Sequence, residues 1–179
     1  MDEPFWKTKR LDEMTRAEWE SLCDGCGRCC LRKLRYEEDN SLAFTNIACR
    51  LLDTHTCRCT RYATRHRFVP DCVTLTPDAL KEIDWLPPSC AYVRLAAGKD
   101  LAWWHPLVSG DPETVHTAGI SVRDRVIDER VAGAEEDHIV DWPGRMPRPA
   151  RPRRPPRLQT APRPAARSPT TRTRTPGNP

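Results

Sequence analysis

The 179-residue chain has no run approaching the roughly 18 consecutive apolar residues of a membrane span. Its first residues, MDEPFWKTKRLDE, are charged where a secretory signal would need an apolar stretch. A membrane is therefore not an expected partner, and the cytoplasm is the expected compartment. No G-x-S-x-G, H-E-x-x-H, Walker A or G-x-G-x-x-G pattern occurs, which leaves hydrolase, metalloprotease and nucleotide-binding readings without support. No internal repeat is present. Nor does any acidic residue follow Trp142: residues 143–179 hold ten Arg and eleven Pro, leaving residues 1–142 with 19 basic against 25 acidic groups, net −6.

That split divides the chain in two. Residues 1–142 are long enough for one modest core, since a chain of about 140 residues buries roughly two thirds of its unfolded surface. Residues 143–179 carry too little apolar surface to offset the entropy of ordering them, and they are expected to be a disordered Arg/Pro-rich tail. Arg, Pro, Ala and Thr without acids is also the composition of a GC-rich gene read outside its frame, so the tail is a candidate frameshift product. Such a tail could neutralise phosphates. The acidic body would be repelled by the same polyanion, so nucleic acid is not the expected partner.

What the chain has in abundance is cysteine, nine in all. In a reducing cytosol a dense cysteine pattern reads as metal ligation or catalysis before it reads as a disulfide framework, and an odd count argues against complete pairing. Four thiols fall within eight residues, CDGCGRCC. Cys23, Cys26 and Cys29 are spaced by consecutive Cys-x2-Cys steps, a spacing that lets sulfurs from one tight turn reach a single ion. Cys30 diverges from its neighbour Cys29. Further ligands must come from Cys49, Cys57, Cys59, Cys72 and Cys90, enough for a second site, and the pairing is open. Cys57 and Cys59 are too close for a zinc knuckle unless each serves a different ion or one is structural.

All-thiolate sites favour zinc, copper(I) or iron–sulfur over magnesium or calcium. The ferredoxin run matches only through its first three cysteines, and a second Cys-x2-Cys pair of zinc-finger type is missing. Cys90, on an apolar helix face, reads equally well as a small buried hydrophobe. His55 and His66 lie in the cysteine-rich loop and could each replace one thiolate, whereas His105, in WWHPL, reads as a packed, hydrogen-bonded histidine.

Around these residues the expected elements are short. Thr15 and Glu18 form a capping box that opens a helix carrying Trp19 and Leu22 into Cys23. Residues 31–36 and 42–48 read as a β-hairpin, and residues 50–72 as a loop held more by ligands than by a core. Thr76-Pro77 opens a second helix to about Asp84. A third runs from about Pro88 to Ala97 with Cys90 in its first turn and Gly98 just past its end. Gly119 to Ile127 alternates like a half-exposed strand. The expected fold is a small, irregular, Cys-rich α+β domain stapled by metal.

The text from PFWKTKRLDEMTRAEWESLCDGCGRCC through FTNIACRLLDTHTCRCTRYATRHRFVPDCVTLT, WLPPSCAYVRLAAGKDLAWWHPLVSG and GISVRDRV resembles the bacterial YcgN-type proteins. These sit within the broader YkgJ-like set of CxxCxxCC cysteine-cluster proteins, proposed to chelate zinc or iron. The resemblance covers nearly all of residues 4–142; the basic tail departs from it. It implies metal binding, with no settled reaction, through Cys23, Cys26, Cys29 and Cys30 together with Cys49, Cys59 and Cys72. With Cys57 from the cysteine-rich loop, these eight are the candidate metal ligands. The expected function is a cytosolic metal-chelating protein holding zinc or iron, an iron–sulfur cluster included. Two rivals are an iron–sulfur redox enzyme or accessory protein and a nucleic-acid-binding module using the tail.

Overall fold

The computed structural model describes residues 3–142; the tail at 143–179 lies outside the described residues, as do the expectations of disorder and of a frameshift. The fold is α+β, with short helices around one small sheet. Helices α1 (Phe5–Thr8) and α2 (Arg16–Ser21) lead to strands β1 (Leu31–Arg35) and β2 (Leu42–Ala48). Helices α3 (Ala79–Glu82), α4 (Ala91–Ala96), α5 (Pro106–Ser109) and α6 (Thr114–Thr117) follow, and strand β3 (Ile127–Asp128) closes the sheet in the order β1-β2-β3. Among the described residues no helix is long and apolar enough to cross a membrane.

The N-terminal helix signal is realised in full. Thr15 Oγ1 accepts from the Glu18 amide at 3.3 Å, and Glu18 accepts from the Thr15 amide at 2.8 Å. Each satisfies an amide that a helix start leaves without a partner. Thr15→Ala is expected to lower stability by about 1 kcal/mol, read as a shifted denaturation midpoint at unchanged slope.

The hairpin also forms as expected. β1 and β2 pair antiparallel, Lys33 opposite Phe44 and Arg35 opposite Leu42, with an irregularity between Leu31 and Lys33. β2 then pairs parallel with β3, Ile47 beside Ile127. The strand expected over Gly119–Ile127 shrinks to that last contact. Its alternation has another cause: Ile120 and Val122 are buried in two different apolar clusters, while Asp124 sits at a left-handed φ of 56° that interrupts extended backbone. The third helix starts later than expected, so Cys90 is its N-cap residue rather than part of its first turn. A turn precedes it, the Cys90 amide donating to the Pro87 carbonyl at 2.9 Å with Pro88 at its second position. The second helix is confined to α3, and Thr76 Oγ1 accepts from the Ala79 amide at 3.1 Å.

Three small apolar clusters replace a single core. The first joins α2 to α4: Trp19 and Tyr92 have ring centroids 4.7 Å apart, and the Tyr92 hydroxyl donates to the Trp19 carbonyl at 3.0 Å. A second gathers Cys26, Ala102, Trp104, Val115 and Ile120. The third packs Leu31, Ala48, Leu52, Cys57 and Val122 beneath the hairpin. The cysteine-bearing loops run between these clusters.

Candidate metal centre

The first loop is built by short-range bonds around its buried aspartate. Asp24 Oδ1 accepts from the Cys26 amide at 3.0 Å, and Oδ2 accepts from Trp104 Nε1 at 3.3 Å. Gly25 and Gly27 take left-handed φ of 78° and 76°, which turns the chain twice within five residues. Gly27 is closely overlain: a Cβ there would stand 2.7 Å from Val122 Cγ2. The Val122 amide donates to the Cys26 carbonyl at 2.9 Å, and Arg28 Nε donates to the Ile120 carbonyl at 2.8 Å. A tight turn over Arg28–Cys30 then delivers the chain into β1.

The second loop is tied to the first through backbone. The Cys49 amide donates to the Cys30 carbonyl at 2.9 Å, placing the end of β2 beside the CysCys pair. Beyond it, Leu52 and Cys59 form an isolated bridge, and Cys57 takes a φ of 56° between them. That reversal sends the side chains of Cys57 and Cys59 different ways. Cys57 is buried against Leu52 and Val122, while Cys59 faces the opposite side.

The consequence is a sorting of the nine thiols. Cys23, Cys29, Cys30, Cys49, Cys59 and Cys72 line one cavity of about 140 Å³, walled by Trp19, Tyr62, Trp85 and Tyr92. This is well above the roughly 10–15 Å³ that one water needs by the same measure. Of the eight candidate ligands, Cys26 and Cys57 do not line it: Cys26 is buried among Trp104, Val115 and Ile120, close enough for Cys29 to act on its thiol, and Cys57 lies in the cluster under the hairpin. Cys29 and Cys30 sulfurs are 3.9 Å apart. Among the described residues no three His, Cys, Asp or Glu side chains already stand at metal-binding spacing, so closing on an ion requires the six thiols to draw together. As a donor set, six soft thiols facing one cavity fit zinc or iron and do not fit a hard cation.

Without an ion, burial disfavours the thiolate form of several of these cysteines. Desolvation pushes the Cys23 thiol up to about 11, although part of the residue remains open to solvent. The Cys29 thiol is raised first by its hydrogen bond with Cys30 and then by desolvation. Burial raises Cys49, with Cys72 and Cys59 adding to it. Cys23, Cys29 and Cys49 are thus held toward the neutral thiol. Lys33 supplies a fixed positive charge next to them. Its Nζ donates to the carbonyls of Leu31, Cys29 and Arg28 at 2.7, 3.1 and 3.4 Å and lies 4.5 Å from the Trp85 ring. Desolvation lowers its pKa, and Cys29, Cys30 and Cys26 act against that lowering. Nothing in the sequence singles out Lys33, because a lysine on a strand is ordinary; its position depends on the irregularity in the β1–β2 register.

The histidines stand apart from the cavity. His105 is buried: Nδ1 accepts from the Leu107 amide at 3.1 Å, so Nε2 carries the proton it donates to the Leu22 carbonyl at 3.0 Å. It is a packed, hydrogen-bonded residue. His55 lies 3.4 Å from Asp124, and His66 Nε2 is 3.0 Å from Thr74 Oγ1; neither lines the thiol cavity. Cys90 packs at the margin of the first apolar cluster, and burial pushes its thiol up to about 12.

The chain carries the cysteine cluster of a family described as metal-chelating. The CxxCxxCC family profile, described as "Putative zinc- or iron-chelating domain", matches residues 22–91, which span all six cavity cysteines. The chain belongs to the UPF0260 family. It is 73% identical over 158 residues to a UPF0260 protein of Granulibacter bethesdensis, covering 88% of this chain and 95% of that one. A UPF0260 protein of Gluconacetobacter diazotrophicus is 67% identical over 150 residues, covering 84% and 94% of the two chains. One from Gluconobacter oxydans is 65% identical over 144 residues, covering 80% and 88%. No solved structure matches the chain significantly. The resemblance drawn from the sequence therefore holds at the level of the cysteine-cluster family.

Proposed function

We propose that the protein is a cytosolic chelator of zinc or iron whose ligands are Cys23, Cys29, Cys30, Cys49, Cys59 and Cys72. The observation that carries this reading is the convergence of those six thiols, from loops up to 49 residues apart, on one cavity. Cys26 and Cys57 serve the fold. Three thiols come from the opening loop and three from the loop after β2, so the metal would join two segments that have little core of their own. In this reading metal affinity contributes folding free energy directly. Six thiols exceed the four ligands that one tetrahedral ion takes, which supports a polynuclear or iron–sulfur centre over a lone ion. That favours, as a second reading, an iron–sulfur redox role.

Elemental analysis and a visible spectrum of anaerobically prepared protein test the assignment. Zinc or iron in stoichiometric amount is expected, with iron–sulfur signalled by absorption near 400 nm that bleaches with dithionite; folded protein free of both metals rejects the reading. The raised thiol pKa values add a pH dependence. Each thiolate formed on binding releases a proton, so affinity rises as the pH approaches the thiol pKa from below and falls in acid. Zinc titrated into weakly buffered protein at pH 7 is expected to acidify the solution by more than one proton per ion. Binding with no proton release contradicts thiol ligation.

A further inference from the structure

The wall of the thiol cavity is made by a segment whose charge runs against the rest of the domain. Residues 50–73 carry Arg50, Arg58, Arg61, Arg65 and Arg67 against two acids, Asp53 and Asp71, in a body of net −6. Elsewhere Arg10, Arg32, Arg35, Arg123 and Arg130 each pair with a carboxylate, while Arg125 bonds carbonyls. Among the described residues none of the five in this segment does. Their side-chain hydrogen bonds go to neutral groups, although the Arg50 amide donates to Glu129 at 3.0 Å. Arg50 Nη2 donates to the Phe68 carbonyl, Arg65 donates to the Tyr62 carbonyl at 2.7 Å and to Thr74 Oγ1 at 3.2 Å, and Arg58 packs over Gly25. Exposed apolar surface accompanies them, with Tyr62 50%, Phe68 44% and Val73 40% exposed. Arginine mixed with exposed aromatics is the composition of interfaces, and uncompensated charge on a surface selects a partner of opposite sign.

From this we infer that the segment at residues 50–73 is a docking surface for an acidic protein, seated over the mouth of the thiol cavity. The location is what makes it functional. Tyr62, Arg65, Val69 and Cys72 line the cavity, and Arg32, Lys33, Arg35 and Arg50 outnumber Asp71 and Glu129 in a groove of about 640 Å³ that also touches Cys29, Cys30 and Cys49. A partner held here stands within reach of the metal ligands, as a metal donor, acceptor or electron partner must. A nucleic acid fits less well. Each aromatic already has a guanidinium against its ring, Arg65 at 4.3 Å from Tyr62 and Arg61 at 5.9 Å from Phe68, where a base would stack. The docking step stands without the metal assignment; only the purpose of its location rests on that reading.

The test uses the full chain, metal-loaded and metal-stripped, with a fluorescent oligoglutamate peptide as the acidic probe and an oligothymidylate of equal charge as its rival. Arg61→Glu with Arg67→Glu is expected to weaken peptide binding at least about tenfold, while reversing Arg145 and Arg148 in the tail changes it less than about twofold. The milder Arg61→Gln with Arg67→Gln should show an intermediate loss and guards against a folding effect. Saturating peptide should also slow alkylation of Cys59 and Cys72 several-fold. Greater loss from the tail reversal, a larger effect of the loop variant on oligothymidylate than on peptide, or bound peptide that leaves both thiols equally reactive overturns the proposal. Peptide binding that survives in metal-stripped protein supports it even where the metal assignment fails.

Discussion

Cys29→Ser is expected to strip the protein of its metal, while Cys26→Ser keeps the metal and loses stability instead. The two cysteines are three residues apart in one Cys-x2-Cys step, and spacing alone would treat them alike. Their surroundings separate them. Cys29 lines the cavity beside Cys30, and the Lys33 ammonium is bonded to its carbonyl. Replacing its sulfur by a hydroxyl removes a soft ligand, and the affinity should fall by more than the 10–100-fold that loss of an outer-shell partner typically causes. Cys26 is 9% exposed, packed with Trp104, Val115 and Ile120. A hydroxyl placed there without an added partner costs about 2 kcal/mol. Metal content by elemental analysis and thermal midpoint of each variant decide the matter. Equal metal loss in both variants would return Cys26 to the ligand set.

Gly27→Ala should be the most damaging single-methyl change in the domain. The position combines two demands that no other residue type meets: a φ of 76° and a backbone overlain so closely that a Cβ would lie 2.7 Å from Val122 Cγ2. A left-handed alanine costs roughly 1–2 kcal/mol, and forcing a methyl into a packed cluster another 1–3 kcal/mol. Together they predict about 3 kcal/mol, or a midpoint lowered by roughly 10 °C for a domain of this size. The Val122 side chain cannot easily give way, since it is fully buried and its amide is bonded to Cys26. Gly98→Ala is the control, because nothing lies within 4 Å of a Cβ there and only the φ of 67° opposes it. Equal destabilisation by both would show that backbone conformation alone, and not the Val122 contact, sets the requirement.

Much of the local architecture was legible in the residues. The Thr15 cap, both hairpin strands and the packed state of His105 are consequences of neighbours within a few positions, where capping and alternation act directly. Gly119–Ile127 was misleading because alternation reports burial on alternate sides, and here the two sides are two separate apolar clusters rather than two faces of a sheet. The partition of the thiols was also hidden. It depends on the left-handed turn at Cys57 and on Asp24 reaching Trp104, 80 positions away, neither of which leaves a mark in cysteine spacing. Lys33 and the arginine-rich wall escaped for the same reason: whether a cation is paired is a property of the fold.

The parallel pairing of Ile47 with Ile127 means that one long excursion of chain leaves the sheet and returns to it, carrying Cys49, Cys59 and Cys72 on the way. A protease that nicks the exposed stretch near Arg67 would therefore cut the chain without releasing either piece. Each fragment stays clasped by a strand of the same sheet, and loaded metal would rivet them a second time between Cys59 and Cys72. Clipped protein should accordingly elute from a sizing column as though intact, and come apart only when chelator and denaturant act together.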